Sequence, residues 1–236
     1  MDLSDSWFLD EVAHAGRENL DGEHVARYDA KMDAEAGEEA RLLRESGHLT
    51  PPSTVVDLGA GTGQFSLATA PACARVVAVD VSPVMLDRLR ANVVRSGLDN
   101  VECVAAGFLT YEHRGLPADV VYSRYALHHL PDFWKGVALG RVATMLRPGG
   151  AFRLSDAVYN FEPHEAAERI EAWITETMAD DVEHGWTRGE LAEHVRDEHS
   201  TFTWLLEPML DRCGFRIVTA DYSESGIFAR YLCVKR

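Results

Sequence analysis

Residues 54–66 read TVVDLGAGTGQFS, and the fold turns on how this stretch is parsed. Thr54 to Leu58 is a short apolar run rich in β-branched residues, and it leads directly into Gly59, Gly61 and Gly63. Glycines let the backbone turn sharply and approach a ligand with no Cβ in the way. A helix starting behind them would direct its unpaired N–H groups at whatever rests on the loop. A merely tight strand-to-helix turn is the alternative, but it needs one or two glycines rather than three at alternate positions.

Outward from this loop, strand-like and helix-like runs alternate. Arg75 to Asp80, Val101 to Ala105, Ala118 to Ser123 and Ala151 to Asp156 read as strands. Ser82 to Ser96 and Asp132 to Leu146 read as helices, the second closed by Arg147-Pro148-Gly149-Gly150. Such alternation implies right-handed crossovers and a parallel sheet covered on both faces. Near the carboxyl end, Phe215 to Tyr222 and Ile227 to Val234 are separated only by Ser223-Glu224-Ser225-Gly226, which predicts an antiparallel hairpin. Residues 1–50 are expected to form a helical cover belonging to the same domain, whose body spans 51–236. Within it, residues 157–214 are too long for one plain crossover and are expected to supply a helical lid or wall.

Composition narrows the function classes. A chain of 236 residues with 46% hydrophobic content supports one sizeable core. The net charge of −15 repels polyanions and disfavours a nucleic-acid partner. From Asp156 to Asp211 there are 15 acids against 3 arginines and no lysine, so this segment tolerates a neutral or cationic small molecule better than an anion. No run of apolar residues is long enough to span a bilayer, and acids stand where a secretory signal would carry positive charge. The expected setting is cytoplasmic, with no membrane partner, and a homodimer is left open. Cys73, Cys103, Cys213 and Cys233 are widely spaced and read as reduced thiols.

A dinucleotide fingerprint would need G-x-G-x-x-G. Counted from Gly59, the third glycine is replaced by Gln64, and Asp57 would set a carboxylate against pyrophosphate. Instead VVDLGAGTG, VVAVDVSPVML, ADVVYSRYALHHLPD and MLRPGG together resemble the class I S-adenosylmethionine-dependent methyltransferases over residues 54–156. That resemblance implies a Rossmann-like α/β fold with a seven-stranded, mostly parallel sheet. It also implies S-adenosylmethionine as cofactor and transfer of its methyl group, here to a small-molecule acceptor. Asp57, Gly59, Ala60, Gly61 and Gly63 would lie beside the methionyl and ribose portions, and Asp80 would bind the ribose hydroxyls, with Val81 and Met85 following. The chemistry agrees: a carboxylate 21 residues after Gly59 can accept two hydrogen bonds from a vicinal diol. Capping the next helix is the alternative for Asp80, although Ser82-Pro83 already suits that task.

One departure stands out. Where many members carry an acid that reaches the adenine amino group, this chain has Gly107 followed by Phe108. Adenine would then be held by backbone groups and by packing, unless Phe108 is ordinary core. The fourth strand ends at Ser123, and the following Arg124, Tyr125, Leu127, His128, His129 and Leu130 should line the space between cofactor and acceptor, with Ser123 and Arg124 near the cofactor; Arg124 could bind an acceptor anion or pair with one of the many acids.

The adjacent His128 and His129 invite a metal reading, and a metal-assisted branch of RNA methyltransferases is similar here, with Glu-x-x-Glu-His at the matching place. Tyr125-Ala126-Leu127-His128-His129 lacks both carboxylates, and His194, Glu198 and His199 give no clean ligand set, so no metal is expected. His128, matching the second Glu of that pattern, is the expected general base; the alternatives are an exposed His128 and a packed or capping His129. Tyr28-Asp29 resembles the amino-terminal segment that folds over the cofactor in the family, which would place the Tyr28 hydroxyl by the sulfonium. Intramolecular alkylation with the same cofactor, or a binding module without turnover, remain the alternative functions.

Overall fold

The computed structural model describes residues 7–16, 19–22, 25, 35–179 and 185–236. Helix α1 (Ala36–Glu45) precedes β1 (Thr54–Leu58), α2 (Gln64–Thr69), β2 (Arg75–Asp80), α3 (Pro83–Ser96), β3 (Val101–Ala105) and β4 (Ala118–Arg124). There follow α4 (Asp132–Met145), β5 (Leu146–Tyr159), α5 (Ala166–Thr177), α6 (Arg188–Asp197), β6 (Thr201–Phe202), α7 (Thr203–Arg212), β7 (Phe215–Tyr222) and β8 (Phe228–Lys235). The sheet runs β3-β2-β1-β4-β5-β8-β7. Strands β1 to β5 pair in parallel, and β8 lies antiparallel between β5 and β7. This is the doubly covered sheet with an antiparallel terminal hairpin that the alternation of runs predicts.

Strand periodicity sorts the core into two layers, because successive side chains point to opposite faces. Val55 packs with Leu43, Phe65, Tyr122 and Ala151 beneath α1 and α2, while Val56 and Leu58 pack with Leu139 and Val142 of α4 and Leu206 and Leu210 of α7. Helix α3 starts where expected: the Ser82 hydroxyl accepts from the Met85 N–H at 3.2 Å and Pro83 occupies the first turn.

Beyond β5 the chain departs from a simple crossover. Strand β5 runs to Tyr159, three residues past the expected end, because β8 pairs with it as far as Ala157 and β6 continues alongside Val158 and Tyr159. Tyr159, Phe161, Trp173, Ile174, Leu191 and Ile227 make a separate small core, which is where most of the large aromatics between β5 and β7 go. No described helix is long and apolar enough to cross a membrane.

One buried ion pair ties the amino-terminal side to the sheet. Arg153 on β5 donates through Nε and an Nη to the two oxygens of Glu39 on α1, at 2.6 and 2.8 Å, with both side chains shut away from water. Removing one partner strands the other charge in the interior. Glu39→Ala should therefore cost about 3–5 kcal/mol, which for a chain of this size lowers the melting temperature by roughly 6–20 °C in calorimetry. A shift of less than about 2 °C would show that the pair contributes little.

Candidate functional site

The turn after β1 is held from two sides. Gly59 and Gly63 have φ of +74° and +90°, a region that L side chains avoid, and neither has room for one. A Cβ at Gly59 would overlap that of Ala126 after β4, and one at Gly63 would enter the Leu89 side chain of α3. Beneath the turn, Asp57 is buried and accepts from the Ser66 hydroxyl at 2.6 Å. Burial, reinforced by the nearby charge of Asp80, pushes its carboxyl up to about 7. Asp80 accepts from the Gly61 N–H at 2.7 Å on one oxygen and from the Ser82 N–H at 2.8 Å on the other. Each carboxylate oxygen keeps a further lone-pair site for a ligand. Burial raises the Asp80 pKa, against the pull of those N–H groups.

These groups open onto a cleft of about 590 Å³, open solvent included, at the carboxyl ends of the parallel strands. Of the residues expected from sequence, Gly59, Gly61, Asp80, Val81, Met85, Gly107, Phe108, Arg124 and His129 line it. Asp57 and Ala60 instead border a neighbouring pocket of about 400 Å³, shared with Gly59 and Arg124. Gly63 caps α2 against Leu89, Ser123 is wholly buried in β4, and His128 sits behind His129. Tyr28 lies outside the described residues.

Sequence reasoning missed Glu11. The gap left by Gly107 is filled from the amino-terminal segment: a Cβ on Gly107 would collide with the Glu11 carboxylate. That carboxylate accepts from the Leu109 N–H at 3.1 Å and from the Thr110 hydroxyl at 3.1 Å, and burial raises its pKa. An acid thus stands where the pattern of strand ends wants one, but it comes from nearly a hundred residues earlier, and no local spacing could have flagged it. Tyr125, in the segment after the fourth strand expected to line the cavity, does line it. It bears φ of +50°, an uncommon value for a bulky residue, on the cavity wall, with the Arg124 guanidinium over its ring at 4.9 Å. Arg124 itself pairs with Glu35 at 3.3 Å, the second of the two readings its sequence position allows.

The histidines differ from expectation in protonation and in company. Asp156, at the end of β5, accepts from the backbone N–H groups of Leu127, His128 and Ala157 and from His128 Nδ1. On the far side, Glu198 Oε2 lies 3.0 Å from His128 Nε2, and His194 Nδ1 also contacts it. Burial disfavours a charged ring, but the two carboxylates outweigh it and push His128 up to about 10. The expected neutral base is thus corrected: both ring nitrogens face carboxylates, which favour the charged ring, and His128 is not among the residues lining the cavity. His129 does reach the cavity, and burial together with the His128 charge pushes it down to about 3, leaving it neutral. Its Nε2 is 3.4 Å from the Asn19 side-chain amide. His128, His129 and Glu198 each bring a donor atom within 4.8 Å of the others, a grouping invisible along the sequence because the insert supplies Glu198.

Comparison with known proteins follows the same lines. A family described as "Methyltransferase domain" matches residues 55–150. An uncharacterized methyltransferase of Bacillus velezensis is 30% identical over 173 residues, 66% of this chain and 76% of that protein. Another from Anoxybacillus flavithermus is 28% identical over 177 residues, 75% of this chain and 73% of that one. Among solved structures, magnesium protoporphyrin IX methyltransferase from Synechocystis PCC 6803, with bound SAM, superposes with a TM-score of 0.66 at 15% identity, covering 98% of this chain and 99% of that one.

The arrangement around His128 makes a prediction of its own. His128→Ala leaves Asp156 and Glu198 facing each other with no ring between them, so it should destabilise the protein by about 3–5 kcal/mol. His128→Gln, which restores an amide donor, should recover part of that loss. Thermal unfolding of the two variants checks this; equal stability of His128→Ala and wild type would mean that the ring is not the bridge between the carboxylates.

Proposed function

The chain belongs to the class I S-adenosylmethionine-dependent methyltransferases, and from that premise we propose that it methylates a small, uncharged or cationic acceptor held between the strand ends and the helical insert. What carries the reading is a cavity lined jointly by the glycine turn, Asp80, Tyr125 and His129. The acidic balance of residues 156–211 supports the charge preference, since an anionic acceptor would approach against it.

The residues present fit the cofactor. Gly59, Gly61 and Gly107 line the cavity with no side chain of their own, and the free lone pairs of Asp80 suit the two ribose hydroxyls. Glu11 is placed to accept from the adenine amino group, the task that the missing acid at 107 would have had. The cofactor, when bound, supplies a methyl group already activated by its sulfonium. The protein's part is to align the acceptor nucleophile with that methyl and to keep water out, from which roughly 7–11 kcal/mol of barrier lowering is available. His129, neutral and on the cavity wall, can accept a hydrogen bond from the acceptor, whereas the bridged His128 orients the turn that carries it. The insert is assigned the role of lid, opening to admit acceptor and release product.

Incubation with the cofactor and a library of small acceptors should release S-adenosylhomocysteine; methylthioadenosine would point to alkylation within the cofactor, and tight binding without product to a module without turnover. Asp80→Ala removes two charge-assisted hydrogen bonds, so affinity for S-adenosylhomocysteine in calorimetry should fall by about tenfold to several thousandfold. Glu11→Ala should weaken it by roughly 10–150-fold, the value of one such bond of about 1.5–3 kcal/mol. S-inosylhomocysteine, with a carbonyl in place of the purine amino group, should bind the Glu11 variant and wild type nearly alike. If the variant loses both ligands equally, Glu11 does not read the amino group.

A further inference from the structure

We propose that His128, His129 and Glu198 form a binding site for a divalent first-row transition-metal ion, beside the acceptor end of the cavity. The inference stands on the side-chain cluster alone and holds whatever the acceptor proves to be.

Three observations converge on it. The first is geometric. One donor atom from each of the three residues lies within 4.8 Å of the others, and His128 Nε2 and Glu198 Oε2 are already 3.0 Å apart. With metal–ligand bonds of about 2.0–2.2 Å, neighbouring ligands in a tetrahedral site stand roughly 3.3 Å apart. Closing the set onto one ion therefore asks for side-chain rotations and for the ion to displace the Nε2 proton of His128, which is released to solvent. The second is the chemistry of the set. Two imidazoles and one carboxylate are a donor combination that zinc, iron, cobalt and manganese accept, and three protein ligands leave positions for water or an acceptor atom.

The third is what surrounds the ligands. A ligating histidine usually donates its other ring N–H to a carboxylate, which fixes the ring's orientation and its tautomer. Asp156 stands in that relation to His128 Nδ1, and it is held in turn by the N–H groups of Leu127, His128 and Ala157. The carboxylate is therefore rigid, and His128 Nε2 points toward Glu198 as a consequence. His129 adds an independent sign: its Nδ1 is fully buried and has no hydrogen-bond partner among the described residues. A buried acceptor or donor left unmade costs about 1–3 kcal/mol, and coordination to an ion would remove that cost. His194 Nδ1 contacts the same Glu198 oxygen and can hold the carboxylate in place.

The turn that carries the two histidines joins β4 to α4, whereas Glu198 closes α6 in the insert. An ion here would cross-link the insert to the strand ends. Because His129 lines the cavity, an open coordination position would face the acceptor, and an acceptor with an oxygen or nitrogen donor would be the class it takes.

The test uses the untagged full-length protein, stripped with a chelator and dialysed against micromolar zinc. Elemental analysis by mass spectrometry should find about one zinc per chain in the wild type, as expected for a set of this kind. His129→Ala and Glu198→Gln should each lose the zinc under the same conditions, and Asp156→Asn should weaken binding by about 10–100-fold. Binding of S-adenosylhomocysteine to Glu198→Gln, unchanged from wild type, verifies that this variant is folded. For the wild type alone, cobalt substitution should give visible absorption bands of a low-coordinate nitrogen and oxygen site. Zinc uptake well below one equivalent with no cobalt bands, or zinc retained undiminished by the His129→Ala/Glu198→Gln double variant, would overturn the proposal.

Discussion

The Asp156 carboxylate, shut away from water at the end of β5, fixes the relation between the two middle strands and everything built on them. Its two oxygens collect three backbone N–H groups and one imidazole, which satisfies a buried charge that would otherwise be costly to keep. By taking the N–H groups of Leu127 and His128, it pins the turn after β4 to the strand beside it. That turn brings Ala126 against Gly59, Tyr125 onto the cavity wall and His129 into it. Loss of this one acceptor would release the loop that shapes the cavity, and the effect would spread to both of its ends.

Those two ends are built from different materials. Around Asp80 the cavity is mostly backbone, glycine and one carboxylate, an arrangement dictated by close approach to a ligand. Around His129 it is formed by larger side chains, those of Tyr125, Leu130 and His129 itself. Rigid backbone recognition suits a cofactor shared across a large family. Helices α5 and α6 of the insert pack on a separate core, whereas α7 packs beneath the parallel strands.

How much of this could be read in advance follows from where the information lies. Strands β1, β2 and β3 fall on the expected residues, because buried parallel strands are continuous apolar runs bounded by turn signals, and the glycine turn and Asp80 are local patterns. The end of β5 could not be placed, since its last residues are strands only through partners in β6 and β8. His128 was visible as a residue but misjudged as a neutral base, because its charge depends on Asp156 and Glu198, 28 and 70 residues further on. Glu11 left no trace at all in the pattern, for the same reason at larger separation. Short-range chemistry is written in the sequence; the electrostatics of a buried cluster is written only in the fold.

The proposed reading of adenine by Glu11, in place of an acid at 107, bears on how such a site can change over time. The two arrangements exclude each other, since a side chain at 107 collides with the Glu11 carboxylate and a second acid there would add a buried like charge. A lineage moving between them one substitution at a time must pass through a form with a clash or a form with no acid, and either is worse than both endpoints. Selection would then hold positions 11 and 107 together as a coupled pair, and the amino-terminal segment would here be constrained as tightly as the sheet it covers.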